Sequence, residues 1–135
     1  MDDGTRLGYL RLALRVVGLV FVFGVYPLTV VWPSGWAWHA GGHSQYLQMI
    51  IGIYATLGVF VFLAARDPAR HLSLISFTIW SSVVHALVMA VQSLASPEHF
   101  GHLYGDVPAL LIVAAVLGWL CPAAARIAAP AGAAA

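Results

Sequence analysis

Apolar residues fall in four long runs with short polar breaks between them, at about Leu12–Trp32, Tyr46–Ala65, Leu72–Leu94 and Val107–Ala125. Each run is close to the roughly 20 residues that an α-helix needs to cross about 30 Å of hydrocarbon. Strands are a poor reading, because a spanning strand needs only about ten residues of alternating polarity and four strands cannot close a barrel. The pattern predicts an all-α membrane protein: four transmembrane helices in an antiparallel bundle. One domain covers residues 1–121, with the fourth span ending between 121 and 125. Residues 122–135, rich in Ala and Pro, are expected to form a disordered cytoplasmic tail. The first run is longer than the apolar core of a signal peptide, so it is read as a lasting helix.

Composition supports this. The 135-residue chain is 61% hydrophobic and 8% charged, against about 25% charge in a soluble domain. All six basic residues are Arg. Arg6, Arg11 and Arg15 lie at the start of the chain, Arg66 and Arg70 between the second and third runs, and Arg126 after the fourth. The segments Pro33–Gln45 and Ala95–Asp106 hold none. The positive-inside rule therefore places both termini in the cytoplasm, and a bacterial inner membrane is the expected location. Asp67-Pro68 suits a tight turn that makes the second and third spans an antiparallel pair. Pro27 is expected to kink the first span, with Trp32, Trp36 and Trp38 at the outer interface.

Lipid is as apolar as Leu, so helices associate through small residues and polar contacts. Small residues suggest seams at Ser82, Ala86 and Ala90, at Gly52 and Thr56, and at Ala114 and Gly118. Polar groups at bilayer depth each need a partner. Thr78, Ser81, His85 and Gln92 share a face of the third span, and Gln48 and Thr56 lie on a stripe of the second. These stripes are expected to face each other as a polar interior around His85. That interior is read first as an interhelical hydrogen bond and second as a ligand pocket. Haem ligation by His85 lacks a second axial histidine in the spans.

Outside the spans, His99, His102 and Asp106 recur at spacings of three and four, and His39 and His43 lie in the other outer loop. Imidazole and carboxylate are ligands for zinc and similar ions, so these five residues form a candidate divalent-metal site. Cys121 is the only cysteine, and it is read as a buried structural thiol. Ser81 or Ser82 beside His85 lacks the elbow and third member of a nucleophilic triad. No phosphate loop or dinucleotide fingerprint occurs. A net charge of +1 argues against nucleic-acid binding.

Several segments carry a resemblance: Val17-Gly18-Leu19-Val20 through Tyr26-Pro27, Val31-Trp32-Pro33-Ser34-Gly35-Trp36, Gln48-Met49-Ile50-Ile51-Gly52-Ile53-Tyr54 and Ala65-Arg66-Asp67-Pro68. Trp80-Ser81-Ser82-Val83-Val84-His85 and Gly101-His102-Leu103-Tyr104-Gly105-Asp106-Val107-Pro108 belong with them. Together they resemble a family of short bacterial membrane proteins of unknown function with four spans, over about Arg15 to Gly118. The resemblance implies a fold and a location, and carries no activity or site residues. The leading functional reading is a non-enzymatic accessory or binding subunit that works in the bilayer as a homo-oligomer or with a membrane protein partner. The alternatives are a small-molecule or metal-handling protein and a small membrane enzyme.

Overall fold

The computed structural model of the protein describes residues 2–37 and 44–128, with side chains as far as residue 122. The first helix, α1, runs over Asp3–Val31. Asp2 caps it: its carboxylate accepts from the Thr5 amide at 3.1 Å and from the Thr5 hydroxyl at 2.6 Å, satisfying one of the orphan donors of a helix start. The Thr5 hydroxyl holds the Asp2 carboxyl below its ordinary value of 3.8. A depressed carboxylate stabilises above its unfolded value, so this cap fades as pH falls through the lowered one.

Within α1 the segment Val20–Gly24 is wound as a π-helix, and the Val25 amide donates to the Val20 carbonyl, five residues back. Pro27 supplies the reason. It has no N–H for the Phe23 carbonyl, and its ring crowds that oxygen. A single widened turn just upstream relieves both problems. Helix continues beyond Pro27 to Val31.

The short helix α2, Pro33–Trp36, follows with proline in its first turn, where a missing donor is harmless. Ser44 caps α3, Gln45–Ala64, accepting from the Leu47 amide. A turn and the 3-10 segment Pro68–His71 lead into α4, Leu72–Ala95. A second 3-10 segment, Pro97–Leu103, precedes α5, Asp106–Ala128. Four helices are thus long and apolar enough to cross a membrane, and no strand occurs among the described residues. Residues 122–128 are helical, where an irregular tail was expected from Pro122 on; residues 129–135 lie outside the described residues.

Chain order does not set the packing. α1 sits between α3 and α5, and α4 packs on α5, while α3 and α4 barely touch. The second and third spans, expected to form an antiparallel pair, therefore make few contacts with each other. The closest crossing joins α1 to α3 at Gly18 and Gly58. A Cβ added to Gly18 would lie 2.7 Å from the Gly58 carbonyl oxygen, and one added to Gly58 would lie 2.7 Å from that of Gly18. Backbones this close require the missing side chains. By contrast, a Cβ on Gly52 would meet nothing within 4 Å, so the seam expected at Gly52 and Thr56 is not one. Ser82, Ala86 and Ala114 are buried.

The bundle is packed unevenly along its length. Leu10, Leu14, Val17, Phe21, Val61, Ile75, Leu117 and Leu120 form the main core, in the half nearer the arginines. At that end Arg6 donates to the Trp119 carbonyl at 3.1 Å and lies over the Trp119 ring. A smaller cluster of Ala86, Met89, Val107 and Leu110 ties α4 to α5 in the Arg-free half. Outward-facing positions carry Leu12, Phe23, Ile53, Phe77, Trp80, Val91 and Ile112, all exposed. Such a continuous apolar surface suits lipid and not water.

Candidate functional site

Because α3 and α4 make few contacts with each other, they leave a gap in the Arg-free half, where a cavity of about 590 Å³ lies. Drug-sized ligands occupy pockets of about 300–1,000 Å³. The widened turn and its continuation in α1 contribute Val20, Phe21, Val25 and Thr29 to the wall. Leu47, Ile50, Ile51 and Tyr54 come from α3, and Ser81, Val84, His85, Val88, Met89 and Gln92 from α4. On α5, Asp106, Ala109, Leu110 and Val113 line it, and Trp36 of α2 joins them at the Arg-free end. Ile50, Val84 and Val88 are also exposed on the outer surface, so the wall is continuous with the lipid-facing side between α3 and α4.

The wall is mainly apolar, with polar groups at two levels. In the middle, Tyr54 Oη and His85 Nδ1 are 3.0 Å apart and hydrogen-bonded. Phe21 packs edge-on against Tyr54 with centroids 5.0 Å apart, which fixes the phenol. Thr29 donates to the Tyr26 carbonyl at 2.7 Å and Ser81 to that of Thr78 at 3.3 Å, so both hydroxyl protons serve their own helices.

The Arg-free end is built more tightly. A Cβ on Gly101 would overlap the Ser34 carbonyl, and one on Gly105 would overlap that of Gly35. These contacts lay α2 against the start of α5 and cover the end of the cavity. His102 Nδ1 lies 2.8 Å from Asp106 Oδ2, with the two residues 1% and 6% exposed. Asp106 lines the cavity and His102 does not. The other carboxylate oxygen, Oδ1, is buried and has no hydrogen-bond partner among the described residues, and the same holds for Trp36 Nε1. Ser93 Oγ is the third such buried atom among the described residues; of the three residues, Trp36 and Asp106 line the cavity and Ser93 does not.

Of the polar interior expected from sequence, His85, Ser81 and Gln92 line the cavity. Gln48 and Thr56 are exposed on a different face of α3, and Thr56 donates to the Gly52 carbonyl. They do not face His85; Tyr54 does. Tyr54 and Trp36 escaped the sequence reading, the first because a tyrosine in an apolar run looks like packing, the second because an indole near a span end looks like an interface anchor. The candidate metal ligands converge only in part. His99 and His102 have ring centroids 6.0 Å apart, and His99 Nε2 is 3.7 Å from Glu98. No three ligating side chains among the described residues are placed to hold an ion. His39 and His43 lie outside the described residues.

The sequence profile of the family of unknown function DUF6632 matches residues 5–135. The chain belongs to this family. No curated protein and no solved structure matches it. Family membership leaves the cavity as the feature from which a role can be argued.

Proposed function

We propose that this member of the family is a non-enzymatic binding protein of the bacterial inner membrane, which takes an apolar small molecule from the bilayer into the cavity between α3 and α4. The observation that carries the reading is a 590 Å³ space walled mainly by apolar side chains and continuous with the lipid-facing surface. The six-to-zero distribution of arginines supports an orientation with both termini in the cytoplasm, the cavity then lying in the outer half of the membrane. A homo-oligomer or a membrane protein partner could receive the cargo through the same gap.

The test is to purify the protein in mild detergent and extract it for mass spectrometry beside the Ala109→Phe variant, whose ring fills the cavity. A small molecule enriched in the wild type and depleted in the variant is expected. Equal recovery from both overturns the reading. For orientation, reporters fused at Gly42 and Ala131 are expected on opposite sides of the membrane, and reporters on one side overturn the four-span arrangement.

A further inference from the structure

Tyr54 Oη takes one of the two nitrogens of the His85 ring and leaves the other. Nδ1 is bonded at 3.0 Å, and Nε2 has no partner among the described residues. Unlike Trp36 Nε1 and Asp106 Oδ1, Nε2 is not an enclosed atom, so it keeps accessible surface on a half-buried residue. That surface belongs to the cavity. His85 sits in the middle of the wall that α4 contributes, with Ser81, Val84, Val88, Met89 and Gln92 around it on the helix surface, all of them lining residues.

The partner on Nδ1 decides what Nε2 offers. A phenol is the stronger proton donor and an imidazole nitrogen the stronger acceptor, so the Tyr54 O–H donates to Nδ1 and the ring carries its own proton on Nε2. Phe21, edge-on against Tyr54, keeps the phenol in place. The cavity therefore presents one N–H donor part-way along an apolar wall. A hydrocarbon would bury that donor unmatched. An ammonium has no lone pair with which to accept. A carboxylate or phosphate would bury its charge with no Lys or Arg among the lining residues, and one N–H does not offset that. An alcohol accepts, but brings a proton that needs a second partner. A carbonyl oxygen is complete with one donor.

Resting on the reading of the cavity as a ligand site, we propose that its occupant is an uncharged, mainly apolar carbonyl compound, held through its oxygen by His85 Nε2–H. Tyr54 is the positioning residue: its bond to Nδ1 fixes the ring and the nitrogen that carries the proton.

The experiment uses the full-length protein in detergent with four probes of one chain length: 8-pentadecanone, 8-pentadecanol, pentadecane and pentadecanoate. Bound molecules are counted by native mass spectrometry, and the ketone, labelled with carbon-13 at its carbonyl, is followed by infrared difference spectroscopy. The ketone is expected to bind about fivefold more tightly than pentadecane, the difference of one hydrogen bond. Its carbonyl band should shift to lower frequency in the wild type, a readout that needs no variant. His85→Leu should abolish the shift and the preference while pentadecane still binds, and His85→Gln, which keeps an N–H donor, should retain part of both. Tyr54→Phe should split the band into shifted and unshifted components, and an unchanged band denies Tyr54 its positioning role. An unshifted band in the wild type, or equal binding of ketone and pentadecane, overturns the carbonyl assignment and leaves the cavity reading intact. Preference for the alcohol or for pentadecanoate also overturns it. Binding of no probe, together with equal recovery of extracted molecules from wild type and Ala109→Phe, overturns both.

Discussion

Tyr54 Oη lies 3.0 Å from His85 Nδ1, and this bond is the polar bridge across a gap where α3 and α4 otherwise make little contact. Interhelical hydrogen bonds in membranes average only about 0.6 kcal/mol. Tyr54→Phe and His85→Leu are therefore each expected to lower stability modestly, with a coupling near 0.6 kcal/mol in a double-mutant cycle. Unfolding in mixed micelles measures it. Strictly additive losses would show that the two side chains are neighbours and not partners.

The Gly18–Gly58 crossing makes a sharper forecast. An alanine at either position has its Cβ within 3 Å of the facing backbone, so the helices must separate. Overpacking of this kind costs about 1–3 kcal/mol. Gly52→Ala on the same helix, with open space around it, should instead raise stability by about 0.5–1 kcal/mol, since Ala is the better helix former. Similar losses at positions 18 and 52 would contradict the packing described.

The cover over the cavity depends on Gly105 lying against Gly35. Gly105→Ala is expected to lift α2 and admit water to the Arg-free end. In a Cys121→Ser background, a cysteine replacing Thr29, which is buried in the cavity wall, should react slowly with a water-soluble maleimide. The added Gly105→Ala change should speed that reaction severalfold. An unchanged rate would mean that α2 does not seal the site.

His102 Nδ1 and Asp106 Oδ2 bind each other, and no three ligating side chains among the described residues are placed to hold an ion. His102→Leu should lower stability by about 1–3 kcal/mol, because Asp106 Oδ2 then loses its partner in a buried site. Metal content of the purified protein is expected to be the same in wild type and in a His99→Ala/His102→Ala variant. A stoichiometric ion lost in that variant would instead establish the divalent-metal reading.

How much of this was legible beforehand follows from the solvent. Run length and the placement of six arginines respond to the bilayer's thickness and to its charged faces, so they reveal the four helices. Which face of each helix turns inward is harder to read. Lipid and protein interior are both apolar, so Val17, which is buried, and Val16, which is exposed, look alike in sequence. α4 betrayed its inward face because the His85 imidazole cannot satisfy itself on its own helix and needs a partner in lipid, here Tyr54. Thr56 did not, since a threonine can satisfy itself on its own helix by bonding the Gly52 carbonyl. Gly18 and Gly58 did carry a signal, as glycines inside long apolar runs, but not which of several glycines would meet. The cavity arises from the non-sequential packing order, which no local pattern specifies.

The widened turn at Val20–Gly24 makes α1 unequal in its tolerance of length. A π-turn is an α-helix carrying one surplus residue while the segments on either side keep their phase. Removing one residue from within it would restore ordinary winding and leave Leu14 and Thr29 facing as they do now. Removing one residue from the regular helix on the Arg-bearing side would rotate everything before it by about 100°, turning Leu10 toward lipid and the exposed Tyr9 toward the core. A scan of single-residue deletions along α1 should therefore find a narrow permissive window at this turn, bordered by positions where the loss of one residue abolishes folding.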